Sequence, residues 1–247
     1  MQNLYYLKAV YKHSTIKVAI TGLVVSVLLL LIIPSHSTSS ASTTSNPAQP
    51  QTQTALFTWW SVDDGLSSSV FLNNASGIEL TVRPTLYNLN GKPLVINPIV
   101  LAPRTSLEVN IADWLNQNNA DGNFKQGNLI LSYEAENATL LGSQVVITKA
   151  ASSLSFDVPV AMPLSFESSR LEGMWWRPDA ASRYDLVVSN MQDSEVNVAV
   201  KISGDHGLMN GISSNITLAP HQTQVINLEG SKSGLSQFKA GTVRWAV

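Results

Sequence analysis

Two hydrophobic patterns divide the chain. Near its start, residues 18–33 form an almost wholly apolar run that ends at Pro34. Further along, apolar residues alternate with polar ones, as in residues 129–134 and 196–202. A period of two places apolar side chains on one face of a β-strand, whereas a long continuous run suits an apolar helix. The pattern therefore predicts an all-β folded part, made of half-buried antiparallel strands, after an N-terminal apolar helix.

The apolar run has the form of an export segment. It is preceded by no acidic residue and by three basic ones, namely Lys8, Lys12 and Lys17. A cationic start followed by a short apolar core is typical of a secretory signal, although the run approaches the length that spans a bilayer. Residues 1–34 are therefore predicted to be a signal peptide or a membrane anchor, with residues 8–33 as the only contact with the membrane. The anchor is slightly favoured by aromatic residues that suit the membrane interface, namely Tyr5, Tyr6 and Tyr11.

Residues 35–54 are uncharged and consist mainly of Ser, Thr, Gln, Pro and Ala, so they are predicted to be a disordered linker. Three of the 15 basic residues precede the apolar run, which leaves 12 against 17 acidic residues and a net charge of -5. That balance argues against nucleic acid or anionic lipid as a partner of the folded part. The folded part is predicted to lie outside the cytoplasm.

An internal repeat divides the folded part into two modules. At an offset close to 116 residues, Thr58-Trp59-Trp60 recurs as Met174-Trp175-Trp176, and residues 70–74, 80–86 and 101–103 find counterparts in the same order. Ordered matches of this kind are typical of a duplicated supersecondary unit. The repeat predicts one β-sandwich module at residues 55–165 and a second at residues 166–247.

Short turns separate the alternating segments at spacings typical of a β-sandwich. One helical turn is expected at residues 113–116. The second module stops at the equivalent of Tyr133, so it is expected to lack its last strand. Residues 154–160 also alternate, and they are expected to belong to a sheet of one of the modules.

Each module has an apolar strand that ends in an asparagine, Asn74 or Asn190, and later a Leu-Ala-Pro turn. The turns are residues 101–103 and 218–220. In this arrangement, over residues 70–133 and 186–247, the chain resembles the bacterial extracytoplasmic immunoglobulin-like or CARDB-like modules (the cell-adhesion-related domain). The resemblance implies two tandem immunoglobulin-like antiparallel β-sandwiches, and it implies adhesion only by analogy.

Paired tryptophans at matched positions are the most distinctive candidates for a ligand or interface site, namely Trp59, Trp60, Trp175 and Trp176. Neighbouring side chains on a strand point to opposite faces, so one ring of each pair is expected in the core and the other outside. A structural role is favoured, because a role of the fold itself would be kept in both copies. A sugar-stacking platform and a partner interface are the alternatives.

No group of residues predicts catalysis, a metal site or a cofactor. The chain has no cysteine and four histidines. His206 and His221 lie in separate turns and form neither a metal triad nor a Ser-His-Asp set. Asp63 and Asp64 are expected to be solvated turn charges, because a calcium site needs six or more oxygen ligands.

The sequence therefore predicts a non-enzymatic extracytoplasmic protein of the cell envelope with a structural or protein-interaction (adhesion-like) function. The expected partner is another envelope or surface protein, or a polysaccharide. The alternative function is that of a carbohydrate-binding module that uses exposed Trp and Tyr. A third function, that of an exported hydrolase, has no matching set of residues.

Overall fold

The computed structural model describes residues 50–149, 154–158, 160–161, 170–176, 185–204, 212–227 and 240–246. These residues form mostly β-structure, in antiparallel sheets packed like a sandwich. The predicted signal peptide or anchor and most of the predicted linker lie outside the described residues. Within the described part, no helix is long and apolar enough to cross a membrane.

Residues 50–161, here called the first half, contain ten strands and two short helices. These are β1 (Gln51–Ser61), β2 (Leu66–Asn74), β3 (Leu80–Asn88), β4 (Pro93–Val95), β5 (Ile99–Leu101), β6 (Ser106–Asn110), α1 (Ile111–Gln117), β7 (Gln126–Ala135), a 3₁₀ turn (Ala138–Leu140), β8 (Leu141–Lys149), β9 (Leu154–Val158) and β10 (Val160–Ala161). The described residues from 170 onward, here called the second half, add six strands. These are β11 (Arg170–Trp176), β12 (Asp185–Ser189), β13 (Val196–Gly204), β14 (Ile212–Leu218), β15 (Thr223–Asn227) and β16 (Ala240–Ala246).

Two antiparallel sheets enclose the core of the first half. One has the strand order β10-β1-β7-β3-β4, with β5 also paired to β3, and the other has the order β6-β2-β8-β9. Alternate residues of β3 and β7 are buried in the core, namely Leu80, Val82, Leu86, Leu129, Leu131 and Tyr133. Burial of one such side chain stabilises the fold by roughly 1.5–3 kcal/mol. The period of two seen in the sequence is therefore the pattern that assembles this core.

The second half pairs its strands in the same way. One of its sheets has the order β11-β16-β13-β14, in which β11, β16 and β13 correspond to β1, β7 and β3, and β14 takes the place of β4 and β5. The other sheet, β12-β15, corresponds to β2-β6. The registers agree before the tryptophans: Phe57 pairs with Leu129 as Gly173 does with Val243, and Asn73 pairs with Ser106 as Ser189 does with Thr223. At the tryptophans they differ by one residue, because β1 bulges against β7 whereas β11 pairs with β16 without a shift. Because the side-chain period is two, a shared register means that matched positions face the same way in both halves.

The first strand begins earlier than expected. The predicted linker extends to residue 54, but β1 starts at Gln51, which pairs with Ala135 of β7. Thr52 Oγ1 donates to Glu134 Oε1 at 2.7 Å. Residues 51–54 have a composition typical of a linker, yet β7 extends far enough to pair with them, so non-local hydrogen bonding overrides the local composition.

Residues 154–160 were expected to join a sheet, and this prediction is confirmed. Strand β9 pairs with β8, from Val145 against Val158 to Lys149 against Leu154, and β10 pairs with β1. These strands extend both sheets of the first half. In the described part of the second half, β12 pairs with β15 alone, whereas β2 lies between β6 and β8.

The helix is longer than the single turn expected. It covers Ile111–Gln117, and Asn110 caps it by accepting a hydrogen bond from the Ala112 amide at 2.8 Å. Ile111, Trp114 and Leu115 are buried, so the helix closes one end of the first core. The cap satisfies an amide that would otherwise have no partner, and the three apolar residues share one helical face.

A buried asparagine closes each half at the end of its second strand. In the first half, Asn74 Nδ2 donates to the carbonyls of Ile78, Leu101 and Ala102 at 2.7, 3.0 and 3.0 Å. Its Oδ1 accepts from the amide of Ser76 at 2.9 Å. The side chain thus joins the turn after β2 to the Leu-Ala-Pro turn, and we call this arrangement the asparagine clamp.

The clamp recurs in the second half at every matched position. Asn190 Nδ2 donates to the carbonyls of Ser194, Leu218 and Ala219 at 2.8, 3.2 and 2.9 Å. Asn190 Oδ1 accepts from the Gln192 amide at 3.0 Å. Both asparagines are fully buried, and each satisfies its own amide by donating to carbonyls of the two turns that it joins. The carbonyls of Ala102 and Ala219 also accept from the backbone amides of Thr105 and Gln222.

Substituting Asn74 with Ala is expected to destabilise the protein by roughly 2–4 kcal/mol, because three side-chain hydrogen bonds to carbonyls are lost at a buried site. The midpoint of urea unfolding measures the change. Asn73→Ala is the matched control: Asn73 is the adjacent residue and is exposed, so its removal is expected to change stability by at most about 0.5 kcal/mol. Equal effects of the two substitutions would contradict the clamp.

Candidate functional site

The first tryptophan pair lies inside the structure. Trp59 and Trp60 are 5% and 0% exposed, and Trp60 Nε1 donates to the Asn128 carbonyl at 2.8 Å. The expectation that one ring of this pair faces outward is wrong, because the pairing of β1 with β7 shifts between Phe57 and Trp60 and breaks the simple alternation. The backbones of Trp175 and Trp176 lie in β11, but their side chains lie outside the description.

The bulged part of β1 belongs to a contact between the two halves, which we call the joint. It is formed by Thr58, Tyr87, Asn128, Ser189, His221 and Thr223. Asn128 is fully buried, and its Nδ2 donates to the His221 carbonyl at 2.6 Å and to Thr223 Oγ1 at 3.0 Å. The Asn128 side chain of the first half therefore makes two hydrogen bonds to the second half, and its backbone carbonyl accepts a hydrogen bond from Trp60.

Hydroxyl groups extend the joint. Ser189 Oγ donates to the Thr58 carbonyl at 2.6 Å and lies 2.8 Å from Thr223 Oγ1. The Thr223 amide donates to the Leu89 carbonyl at 3.1 Å. Thr58, Ser189 and Thr223 are all buried. Hydrogen bonds of this kind are strongly dependent on geometry, so the joint specifies one arrangement of the two halves.

His221 packs on the joint from the Leu-Ala-Pro turn of the second half. Its ring stacks on Tyr87 with centroids 4.1 Å apart and an interplanar angle of 23°. Its Nε2 lies 2.8 Å from Asp193 Oδ1. Burial, followed by the negative charge of Asp193, raises the pKa of Tyr87. Since the Asp193 carboxylate is exposed, this contact adds little stability and mainly orients the ring.

Apolar contacts accompany these polar ones. Val187 of β12 is buried in the main core of the first half, and Val225 of β15 packs against it. Met191 forms a second buried cluster with Leu56, against which Ile130 packs. The outer face of the β12-β15 sheet is therefore covered by the first half of the same chain.

The β3–β4 turn presses closely on the second half at Gly91. A Cβ atom at this position would lie 2.3 Å from the Pro220 carbonyl oxygen, and the residue has a φ of +78°. Both the backbone conformation and the close approach require glycine.

Gly91→Ala is expected to destabilise the protein by more than the roughly 1–2 kcal/mol that a left-handed backbone costs an alanine, because the methyl group also forces the joint apart. Thermal unfolding measures the difference. Gly65→Ala is the matched control, since Gly65 has a φ of +72° and no neighbour within 4 Å of the added atom. Equal losses at the two positions would show that Gly91 does not press on the second half.

The outer face of the β2-β6 pair, which corresponds to the covered face of β12-β15, is exposed in the first half. The pattern of burial turns Phe71 and Asn73 of β2 outward, between β6 on one side and β8 on the other. Together with Ser106, Glu108 and Gln144, they border a groove of about 430 Å³. We call these five residues the Phe71 face.

The titratable residues that the sequence singled out and the structure describes lie in two places, Asp63 and Asp64 at one turn and His221 in the joint. Asp63 and Asp64 face Lys125 and Lys149 at 4.0 and 3.6 Å, as solvated ion pairs at a turn. Within the described residues, no group of three or more His, Asp or Glu side chains is placed to hold a metal ion. His206 lies outside the described residues.

Asn128 and the Phe71 face escaped the sequence analysis. Asn128 follows Gly127 at the start of β7 and precedes the alternating apolar residues. By the alternation it lies with Ile130 and Ser132 on the strand face opposite the core residue Leu129, so the local pattern gave no sign that it is buried. Phe71 lies between Val70 and Leu72 in an apolar segment, so only its register against β6 and β8 shows that it faces outward.

Comparison with known proteins identifies no family. No family model matches the sequence, and no curated protein matches it. Among solved structures, the chain is similar to that of a GH2 beta-galacturonidase from Eisenbergiella tayi bound to galacturonate, at 10% identity and a TM-score of 0.17. The similarity covers 74% of this chain and 37% of the enzyme chain, and it carries no argument about fold or function.

Removing the Asn128 side chain tests the joint. Asn128→Ala is expected to lower stability by roughly 2–4 kcal/mol and to separate the unfolding of the two halves, because two buried hydrogen bonds across the joint are lost. Calorimetry is expected to change from one transition to two. Asn116→Ala, at an exposed position on α1, is the control and is expected to unfold as the unaltered chain does. A single, unshifted transition for Asn128→Ala would contradict this role.

Proposed function

We propose that the chain is a non-enzymatic structural or protein-interaction (adhesion-like) protein of the cell envelope, with its folded part outside the cytoplasm. The joint is the observation that carries the proposal. Buried polar side chains fix two β-sheet units in one arrangement, which suits a spacer or contact protein that must hold its surfaces at a set distance and angle.

The finer architecture belongs to the same proposal. Two tandem immunoglobulin-like modules, residues 55–165 and 166–247, would descend from one duplicated unit. The shared registers of β1-β7 and β11-β16 support this descent, and so does the asparagine clamp at Asn74 and Asn190. A coincidence of register and of three side-chain hydrogen bonds is hard to reach by independent routes.

The proposed location rests on the start of the sequence. Residues 1–34, with three lysines before an apolar run, would direct export or anchor the chain, and residues 35–50 would hold the folded part away from the membrane. The partner would be an envelope protein or a polysaccharide. The alternative, a carbohydrate-binding module that uses exposed Trp and Tyr, loses its first two carriers, because Trp59 and Trp60 are buried.

A single introduced thiol tests location and contact together, since the chain has no cysteine of its own. Val95 is 70% exposed at the edge of a sheet, so Val95→Cys is expected to fold normally. A membrane-impermeant maleimide that carries a photo-reactive group is expected to label this thiol in intact cells. Illumination is then expected to join the chain to an envelope protein or polysaccharide, detected as a shift in electrophoretic mobility.

Labelling of the same cells after lysis is the control, because it shows whether the thiol is accessible in the folded protein. If Val95→Cys reacts only after lysis, the proposed location is wrong. If it reacts in intact cells, but neither this position nor Val100→Cys, at a site 58% exposed, yields a cross-linked product, the proposed contact function is wrong.

A further inference from the structure

The Phe71 face is built from two adjacent rows of side chains across three strands. In one row, Phe71 lies opposite Glu108 of β6 and opposite Gln144 of β8. In the next row, Asn73 lies opposite Ser106 and opposite Gly142. Neighbouring strands are about 4.8 Å apart, so the partly exposed Phe71 has Glu108 and Gln144 as direct cross-strand neighbours, with the amide of Asn73 and the hydroxyl of Ser106 in the next row.

Gly142 keeps the floor of the groove open. A Cβ atom there would meet Asn73 Cβ at 3.4 Å, so any larger side chain would stand beside Asn73 and fill the space. Ser106 Oγ donates to Asn73 Oδ1 at 3.3 Å, and this hydrogen bond orients the Asn73 side chain. The groove of about 430 Å³ lies in the size range of small-ligand sites, roughly 300–1,000 Å³.

The second half shows what this face looks like when protein covers it. The positions that match Phe71, Asn73, Ser106 and Glu108 are Val187, Ser189, Thr223 and Val225. They are small or β-branched, and they pack against the first half in the joint. At the same four backbone positions, the open copy instead carries a ring, an amide, a hydroxyl and a carboxylate.

We infer that the Phe71 face binds a neutral oligosaccharide. A pyranose ring presents an apolar C–H surface bordered by hydroxyl groups, and such a surface matches an aromatic ring bordered by hydrogen-bonding side chains. Phe71 stacks on the C–H surface. The amides of Asn73 and Gln144 donate to and accept from hydroxyls, and Glu108 accepts from them. The inference rests on the proposed envelope function, because it names the polymer contacted.

Other ligand classes fit the groove less well. Among the described residues that line it, none is a lysine or an arginine, and Glu108 repels anions, so the described lining offers a nucleic acid or an acidic polymer none of the cations it requires. A protein partner typically covers about 800 Å² on each side and favours an apolar centre. Here the exposed apolar groups are the Phe71 ring and Leu107 at the edge of the groove, and the remaining side chains of the face are polar, in contrast to the paired valines at the matched positions of the joint.

Calorimetric titration of the full chain, purified in a zwitterionic detergent that has no sugar head group, tests the inference. The neutral probes are cellotetraose, xylotetraose and chitotetraose, and the anionic probe is tetragalacturonate. At least one neutral probe is expected to bind saturably. Phe71→Ala is expected to weaken that binding at least about tenfold, because the stacking surface is lost.

Two further variants separate binding from folding. Phe71→Tyr keeps the ring and is expected to retain affinity within about threefold. Gln144→Ala alters an exposed side chain and is expected to lower affinity about fivefold without a change in the urea midpoint. Val95→Ala, on the other sheet, is the control and is expected to leave affinity unchanged.

Three results would overturn the inference: no binding of any neutral probe, unchanged affinity in both Phe71→Ala and Gln144→Ala, or tetragalacturonate as the tightest ligand. Maleimide labelling at Val95→Cys decides the envelope location independently of these titrations. If the chain is labelled in intact cells but binds no neutral probe, the inferred glycan site is wrong and the proposed envelope function is unaffected. A chain labelled only after lysis would remove that function, whatever the titrations give.

Discussion

The asparagine clamp is the interaction on which both the Phe71 face and the joint depend. In each half, one buried amide fixes the end of the second strand to the Leu-Ala-Pro turn, through the carbonyls of Leu101 and Ala102 or of Leu218 and Ala219. The residue before each asparagine faces outward. It is Asn73 on the Phe71 face and Ser189 in the joint. A clamp that holds the strand end therefore also holds the contact residue next to it.

Strands β2-β6 and β12-β15 share one register, but their outer faces serve different purposes in the two halves. Positions that alternate inward build the core, and the intervening positions of β2 or β12 form an outer face. In the second half that face is covered through Val187 and Ser189, and its polar groups are satisfied by the first half. In the first half the face is open and carries longer polar groups beside a ring. Strands β2-β6 and β12-β15 pair in matching register, so the two faces differ in their side chains and in β8, which flanks β2 but has no counterpart beside β12 in the described part of the second half.

Local pattern was enough to predict most of the strands, because the alternation of apolar residues is itself the cause of their burial. It was not enough where a distant segment decides the outcome. Trp59 and Trp60 are both buried because β1 bulges against β7, and residues 51–54 are a strand because β7 extends to meet them. Asn128 gave no local signal, since the alternation turns it away from the core of its own half and its partners lie 93 and 95 residues away. Helix α1 was underestimated because its length depends on burial of Ile111 as much as on its cap.

The polar character of the joint follows from the need for a fixed orientation. Val187 and Val225 alone would favour contact between the halves, but apolar packing without directional bonds tolerates rotation and sliding. The Asn128 amide removes that freedom, because its two donors must meet the His221 carbonyl and Thr223 Oγ1 at the same time. A rotated joint would leave these buried groups without partners, at a cost of roughly 1–3 kcal/mol for each. Apolar burial thus supplies the attraction between the halves, and the buried amide selects one geometry among those that attraction would allow.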